Sequence, residues 1–186
     1  MYKKGEIEAA NKTSRATKSV GKFALLPRLV RENEDKELTI LDYGAGKEAI
    51  HTEMLRRYKF HNVTAWEFGD NFDSSIHDTE ALTRQYDLVF ASNVLNVQQS
   101  EKMLRATLEQ VSSLLNLKGR FFCNFPKEPN HLGLFLDEVE NILQEYFPKV
   151  ERIKRKYSGR IWMCSNSTIP GIPYPINVMP MTPNGS

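Results

Sequence analysis

The chain has 186 residues and a formal net charge of +2; 40% of its residues are apolar and 26% charged. That length and composition fit one ordinary domain with a real core, and they exclude global disorder. No apolar run approaches the ~18 residues of a membrane-spanning helix.

Strand and helix signals alternate along the chain. Residues 1–37 read as a basic lead-in, helical from Thr13 to Val30 and perturbed by Gly21 and Pro27. Leu38–Tyr43 is β-prone and ends in Gly44-Ala45-Gly46. Glu48–Tyr58 has helical period, with Ile50, Met54, Leu55 and Tyr58 on one face. Asn62–Phe68 is a second strand, and Ile76-His77-Asp78 a very short third. Tyr86–Ser92 is apolar enough to be buried on both faces. Ser100 is the expected N-cap of a helix carrying Leu104, Leu108, Val111 and Leu115, which Gly119 ends. Arg120–Phe125 is a fifth strand, stopped by Pro126, and a helix follows from Leu132 to Tyr146. Val150–Tyr157 and Arg160–Ser165 form a hairpin turning at Ser158-Gly159. Residues 167–186 are a Pro-rich tail.

This order predicts an α/β fold: a Rossmann-like three-layer sandwich, its mostly parallel seven-stranded sheet closed by a C-terminal antiparallel hairpin. Residues 38–166 are the expected cofactor-binding domain. Cys123 and Cys164 form no C-x-x-C pair, so a disulfide framework is disfavoured and a reducing cytoplasm is expected. The N-terminus shows no secretion signal, and the four histidines show no metal-ligand spacing.

Charge is unevenly spread. Residues 1–31 carry eight Lys or Arg against Glu6 and Glu8, and residues 149–160 carry six against Glu151. The remainder is strongly acidic. Basic ends of this kind fit either an anionic partner or a solvated face.

In an open α/β sheet, ligands bind beyond the carboxyl ends of the strands. Asp42, Gly44, Ala45 and Gly46 fall at the first such end, where glycines let backbone approach a ligand. Glu67, followed by Phe68, ends the second strand, 21 positions after Gly46. A carboxylate there can accept both ribose hydroxyls. Asp78 is placed to meet an adenine amino group, and Asn93 to line the pocket floor. Gly44-x-Gly46-x-x-Ala49 also fits a dinucleotide fingerprint. Asp42 argues against that, because it sets a carboxylate near a pyrophosphate.

Taken together, ILDYGAG, Glu67 after VTAWEF, the HD pair at 77–78, YDLVFASNVLN and LLNLKGRFF resemble the class I S-adenosylmethionine-dependent methyltransferases over Leu38–Phe125. The family's third loop glycine is Glu48 here. The resemblance implies S-adenosylmethionine as cofactor. It places Gly44 and Gly46 against the methionyl and ribose parts, Asp42 toward the α-ammonium, Glu67 on the ribose and Asp78 on the adenine.

The acceptor is read from less. The position after the fourth strand is Ala91-Ser92-Asn93-Val94-Leu95-Asn96, without the Pro-Pro of amino-methylating DNA enzymes and without a cysteine nucleophile. Asn124, Phe125 and Pro126 are the candidate acceptor contacts. Three readings follow: a methyltransferase acting on an anionic acceptor, nucleic acid slightly ahead of a small metabolite; an NAD(P)-dependent oxidoreductase; and a non-catalytic module binding nucleic acid or a protein. Oligomeric state is open in all three.

Overall fold

The computed structural model describes residues 4–16, 24–153 and 160–166. The Pro-rich tail, the hairpin turn at Ser158-Gly159 and Lys154, Arg155 and Lys156 lie outside the described residues.

The elements run α1 (Lys4–Ala16), α2 (Leu25–Asn33), β1 (Ile40–Tyr43), α3 (Ile50–Arg57), β2 (Val63–Trp66), β3 (Tyr86–Ala91), α4 (Glu101–Leu114), β4 (Leu115–Asn124), α5 (Leu136–Tyr146), β5 (Lys149–Arg152) and β6 (Ile161–Ser165). They build one mixed sheet in the order β2-β1-β3-β4-β6-β5. The first four strands are parallel; β6 runs antiparallel between β4 and β5.

Among the described residues the sheet has six strands, not seven. The missing one is Ile76–Asp78. There the Asp73 carboxylate accepts the Ser75 N–H and hydroxyl, and the Asp73 carbonyl accepts the N–H groups of Ile76 and His77. These bonds curl the chain into a turn. Only the Asp78 N–H reaches β2, at the Ala65 carbonyl (3.0 Å).

Alternation along the strands divides the core into two layers. Leu41, Tyr43, Val89, Phe121, Cys123 and Trp162 face one way, packing with Leu104, Leu108 and Val111 of α4 and Val139 and Leu143 of α5. Ile40, Leu88, Phe90, Phe122 and Ile161 face the other, with Leu26, Leu29 and Val30 of α2 and Leu55 of α3. The lead-in is therefore part of the core. Pro27 does not disturb α2: it sits in the first turn, where a missing N–H costs no intrahelical bond.

Local chemistry sets the helix ends. Ser100 caps α4, its Oγ accepting the Met103 N–H at 3.1 Å. That helix ends at Leu114, ahead of Gly119, which lies within β4. A Cβ on Gly119 would come within 2.8 Å of the Tyr86 carbonyl oxygen, so its role is close strand approach. The α5 helix starts at Leu136 rather than Leu132, because residues 130–134 turn back on themselves and Glu138 accepts the Phe135 N–H. The α3 helix ends in a Schellman motif: Lys59 N–H bonds the Arg56 carbonyl and Phe60 N–H the Leu55 carbonyl, with Lys59 at φ 71°.

Candidate functional site

The carboxyl ends of β1, β2 and β3 open onto a cleft of about 390 Å³, a volume that includes open solvent. Gly44, Glu67, Phe68, Ser92, Asn93 and Val94 line its sheet side, and Ile7, Ala10 and Asn11 of α1 its outer wall.

Both loop glycines have left-handed backbone, φ 77° at Gly44 and 74° at Gly46. Their surroundings differ. A Cβ on Gly44 would lie 2.6 Å from Val94 Cγ2, whereas one on Gly46 would meet nothing within 4 Å. Gly44 is needed for packing; Gly46 borders open space. The third glycine of the resembled family's loop is absent, with Glu48 in its place. Ala49, not Glu48, takes the left-handed conformation (φ 42°) immediately before α3.

Glu67 is 5% exposed and holds the loop. Its Oε2 accepts the Gly46 N–H at 2.5 Å and its Oε1 the Phe68 N–H at 2.7 Å. Burial pushes this carboxyl up; the two N–H donors work against that. Each oxygen keeps a second lone pair for a ligand hydroxyl. Phe68 completes an aromatic group with Tyr43 and Trp66, its ring centroid 5.4 and 4.2 Å from theirs. Ser92 Oγ is buried, with no hydrogen-bond partner among the described residues.

Asp42 lies beneath the loop and not among the lining residues. It is 1% exposed; Oδ2 accepts the Thr52 hydroxyl at 2.9 Å, and Oδ1 has no hydrogen-bond partner among the described residues. Burial, only partly offset by Thr52, pushes its carboxyl up to about 7. A carboxyl half-neutral near pH 7 repels a pyrophosphate weakly, so the charge argument against a dinucleotide loses force.

Asp78 also stands off the cleft lining. Its carboxylate pairs with Arg84 and accepts the Glu80 N–H. Slight burial acts to raise this carboxyl, but Arg84 and Glu80 outweigh it and hold it below the ordinary range. His77, its neighbour, turns inward and is 2% exposed.

Asn93 and Asn124 meet at the ends of β3 and β4. Phe125 is 1% exposed and belongs to the core, and Pro126 is half-buried beside it. The structure thus brings Gly44, Glu67, Phe68 and Asn93 to one cleft, with Ala45 and Gly46 in its loop. It leaves Asp42 and Phe125 behind that surface and pairs Asp78 elsewhere.

The α1 wall is the part that sequence reasoning missed. Asn11 Nδ2 donates to the Phe68 carbonyl at 3.0 Å, and the Ser100 hydroxyl donates to Glu6 at 2.6 Å. Ile7, Ala10 and Asn11 recur at i, i+3 and i+4, a helical signal ahead of Thr13 where the helix was expected to begin.

No protein-family model matches the sequence, and no curated protein is significantly similar to it. Solved structures do match. A TehB-like S-adenosylmethionine-dependent methyltransferase from Corynebacterium glutamicum superposes with a TM-score of 0.55 at 13% identity, over 85% of this chain and 98% of that one. A methyltransferase from Pyrococcus furiosus gives 0.56 at 15% identity, over 84% and 98%. The 1,6-didemethyltoxoflavin-N1-methyltransferase of Burkholderia thailandensis, solved with its substrate and S-adenosylhomocysteine, gives 0.53 at 17%, over 88% of each chain. The chain has the fold of the class I S-adenosylmethionine-dependent methyltransferases.

Proposed function

We propose that this chain binds S-adenosylmethionine in the cleft and transfers its methyl group to a small acceptor. The observation that carries the reading is the convergence of the Gly44–Gly46 loop, the buried Glu67 carboxylate and Asn93 on one cleft at the carboxyl ends of the strands. Sheet topology supports it. A dinucleotide-binding sheet runs 3-2-1-4-5-6 with parallel strands, whereas here β6 enters antiparallel beside β4. The Burkholderia enzyme, similar in fold, holds S-adenosylhomocysteine.

The residues present fit this cofactor. Glu67 would accept the ribose hydroxyls while keeping its bonds to the loop, and the open side of Gly46 admits a ligand against backbone. Phe68 offers an aromatic side chain at the cleft wall. Asp42 would act on an α-ammonium only through the loop or a water, and Asp78 would have to share its carboxylate with Arg84. When bound, S-adenosylmethionine supplies a methyl group already activated on a sulfonium. The protein is then left to align the acceptor and keep water out.

The basic ends predict an anionic acceptor, nucleic acid slightly ahead of a small metabolite. Lys4, Arg28, Arg31, Lys149 and Arg152 are each ion-paired to a carboxylate. Among the described residues no Lys or Arg lines the cleft, and α1 stands across it. These features favour a small acceptor over a polynucleotide.

Calorimetric titration with S-adenosylmethionine, with NAD as the parallel control, tests the reading. Micromolar binding of the first alone, lost in Gly46→Arg, supports it. Preference for NAD would replace it with the oxidoreductase, and binding of neither with the non-catalytic module. Labelled methyl transfer to RNA and DNA, set beside pooled metabolites, then separates the acceptor classes.

A further inference from the structure

Gly46 is held from both sides. Its N–H goes to Glu67, and its carbonyl accepts the Ala49 N–H at 3.1 Å. The same carbonyl lies 2.9 Å from His77 Nε2. The other ring nitrogen, Nδ1, faces the Asp73 backbone, 3.0 Å from its N–H and 3.2 Å from its carbonyl oxygen. One tautomer serves both ends. Nδ1 without a proton accepts the Asp73 N–H, which puts the ring proton on Nε2, where it donates to Gly46.

The ring is fixed in this role. Phe72 lies alongside it, 5.4 Å between centroids. The Asp73 turn carries His77 inward, and the Asp78 N–H pins the end of that turn to β2. The segment that fails to become a strand thus delivers an imidazole to the back of the glycine loop.

The need for such a support is local. With Glu48 in place of a third glycine, the loop completes its turn through Ala49, a residue with a Cβ, at φ 42°. That conformation is costly for a non-glycine residue and persists only where surrounding bonds over-determine it. The α3 helix also starts with no side-chain cap. A donor on the Gly46 carbonyl orients the 46–47 peptide, while Glu67 orients the 45–46 peptide through the Gly46 N–H.

We propose that His77 is a positioning residue of the cofactor site: its Nε2–H fixes the Gly46 carbonyl and thereby sets the loop on which S-adenosylmethionine rests. This rests on the cofactor reading above. His77 does not line the cleft, so it acts through Gly46 and is not a catalytic residue.

Two amide variants separate this role from simple packing. In His77→Gln the side-chain amide reaches the place of Nε2 and can keep the Gly46 bond. In His77→Asn it reaches only the place of Nδ1 and can keep the Asp73 bond. Calorimetry should show S-adenosylmethionine affinity within about 3-fold of wild type for His77→Gln and a loss of at least about 10-fold for His77→Asn, the order expected for one buried hydrogen bond. Thermal unfolding of the ligand-free proteins accompanies each titration. Equal affinity in the two variants, or a loss that follows their unfolding temperatures, overturns the proposal. A long-range ¹H–¹⁵N spectrum of the wild-type protein gives a readout independent of ligand. The Nε2–H tautomer is expected, and the Nδ1–H tautomer overturns the clamp. Were wild type to bind no S-adenosylmethionine, the cofactor reading would fail, and the tautomer together with the Gly46 amide shift in both variants would still decide the clamp.

Discussion

Asn124 and Asn93 exchange hydrogen bonds across the ends of β4 and β3. The Asn93 N–H donates to Asn124 Oδ1 at 2.7 Å, and Asn124 Nδ2 donates to Asn93 Oδ1 at 2.6 Å. Asn93 sits at φ 60°, in the small left-handed region that asparagine tolerates better than most residues. The side chain on one strand therefore fixes the backbone on the next, at the floor of the cleft. Asn124→Leu, near in volume but without either bond, should destabilise the protein by about 1–3 kcal/mol. It should also weaken S-adenosylmethionine binding. Denaturant unfolding and calorimetry measure the two effects separately, and unchanged affinity would remove Asn93 from the cofactor site.

The two loop glycines should respond differently to the same substitution. Gly44→Ala drives a methyl into Val94, so it should chiefly lower stability. Gly46→Ala meets open space, and its fold penalty should be limited to the roughly 1–2 kcal/mol of a left-handed alanine. Its main effect should be on affinity, since the methyl group enters the space a ligand would use. Comparable losses of affinity per unit of stability in both variants would contradict this division.

Asp42 makes stability depend on pH. Its folded-state carboxyl titrates at about 7 because burial disfavours the charge, against 3.8 for the ordinary group. The native state therefore holds a proton that the unfolded chain has lost between those values. Its contribution is full below about pH 4, falls as pH rises toward 7 and is level above, a span of up to roughly 4 kcal/mol. Asp42→Asn should flatten that slope. Urea denaturation at pH 5 and pH 8 of both proteins checks it: the asparagine variant should gain on wild type at the higher pH.

Lys59 is an exposed residue at the C′ position of a Schellman motif that asks for φ above zero. Lys59→Gly removes a Cβ penalty without removing a buried contact. The variant should be more stable by about 1 kcal/mol, a rise of roughly 2–4 °C in Tm for a chain of this size. Differential scanning calorimetry would show it, with cofactor affinity unchanged.

The strand-helix alternation was legible because buried parallel strands leave continuous apolar runs, as in Tyr86–Ala91, and amphipathic helices leave a 3.6 period, as in α4. Ser100 announced itself as a cap. The loop glycines and Glu67 were legible by type and spacing. What could not be read was side-chain direction at short range. Asp42 and Glu67 are both acidic strand-end residues, yet one points under the loop and the other holds it. Ile76-His77-Asp78 carried a weak strand signal, and the Asp73 side chain overrode it with a local turn. The α1 wall escaped because its contacts lie far away in sequence, Asn11 with Phe68 and Glu6 with Ser100.

The position of α1 bears on kinetics. Among the described residues α1 is held at the cleft mouth by the Asn11 and Glu6 bonds, with Ile7 against Gly69 and Ala10 against Val97 and Met103. Under the proposed function, a spent cofactor would leave past that helix and a fresh one would enter the same way. Exchange would then share its rate with the opening of α1, a kind of step that commonly governs turnover. Loosening the helix by Asn11→Ala should speed release more than it slows the chemical step. A pre-steady-state burst in wild type that shrinks in the variant would be its signature.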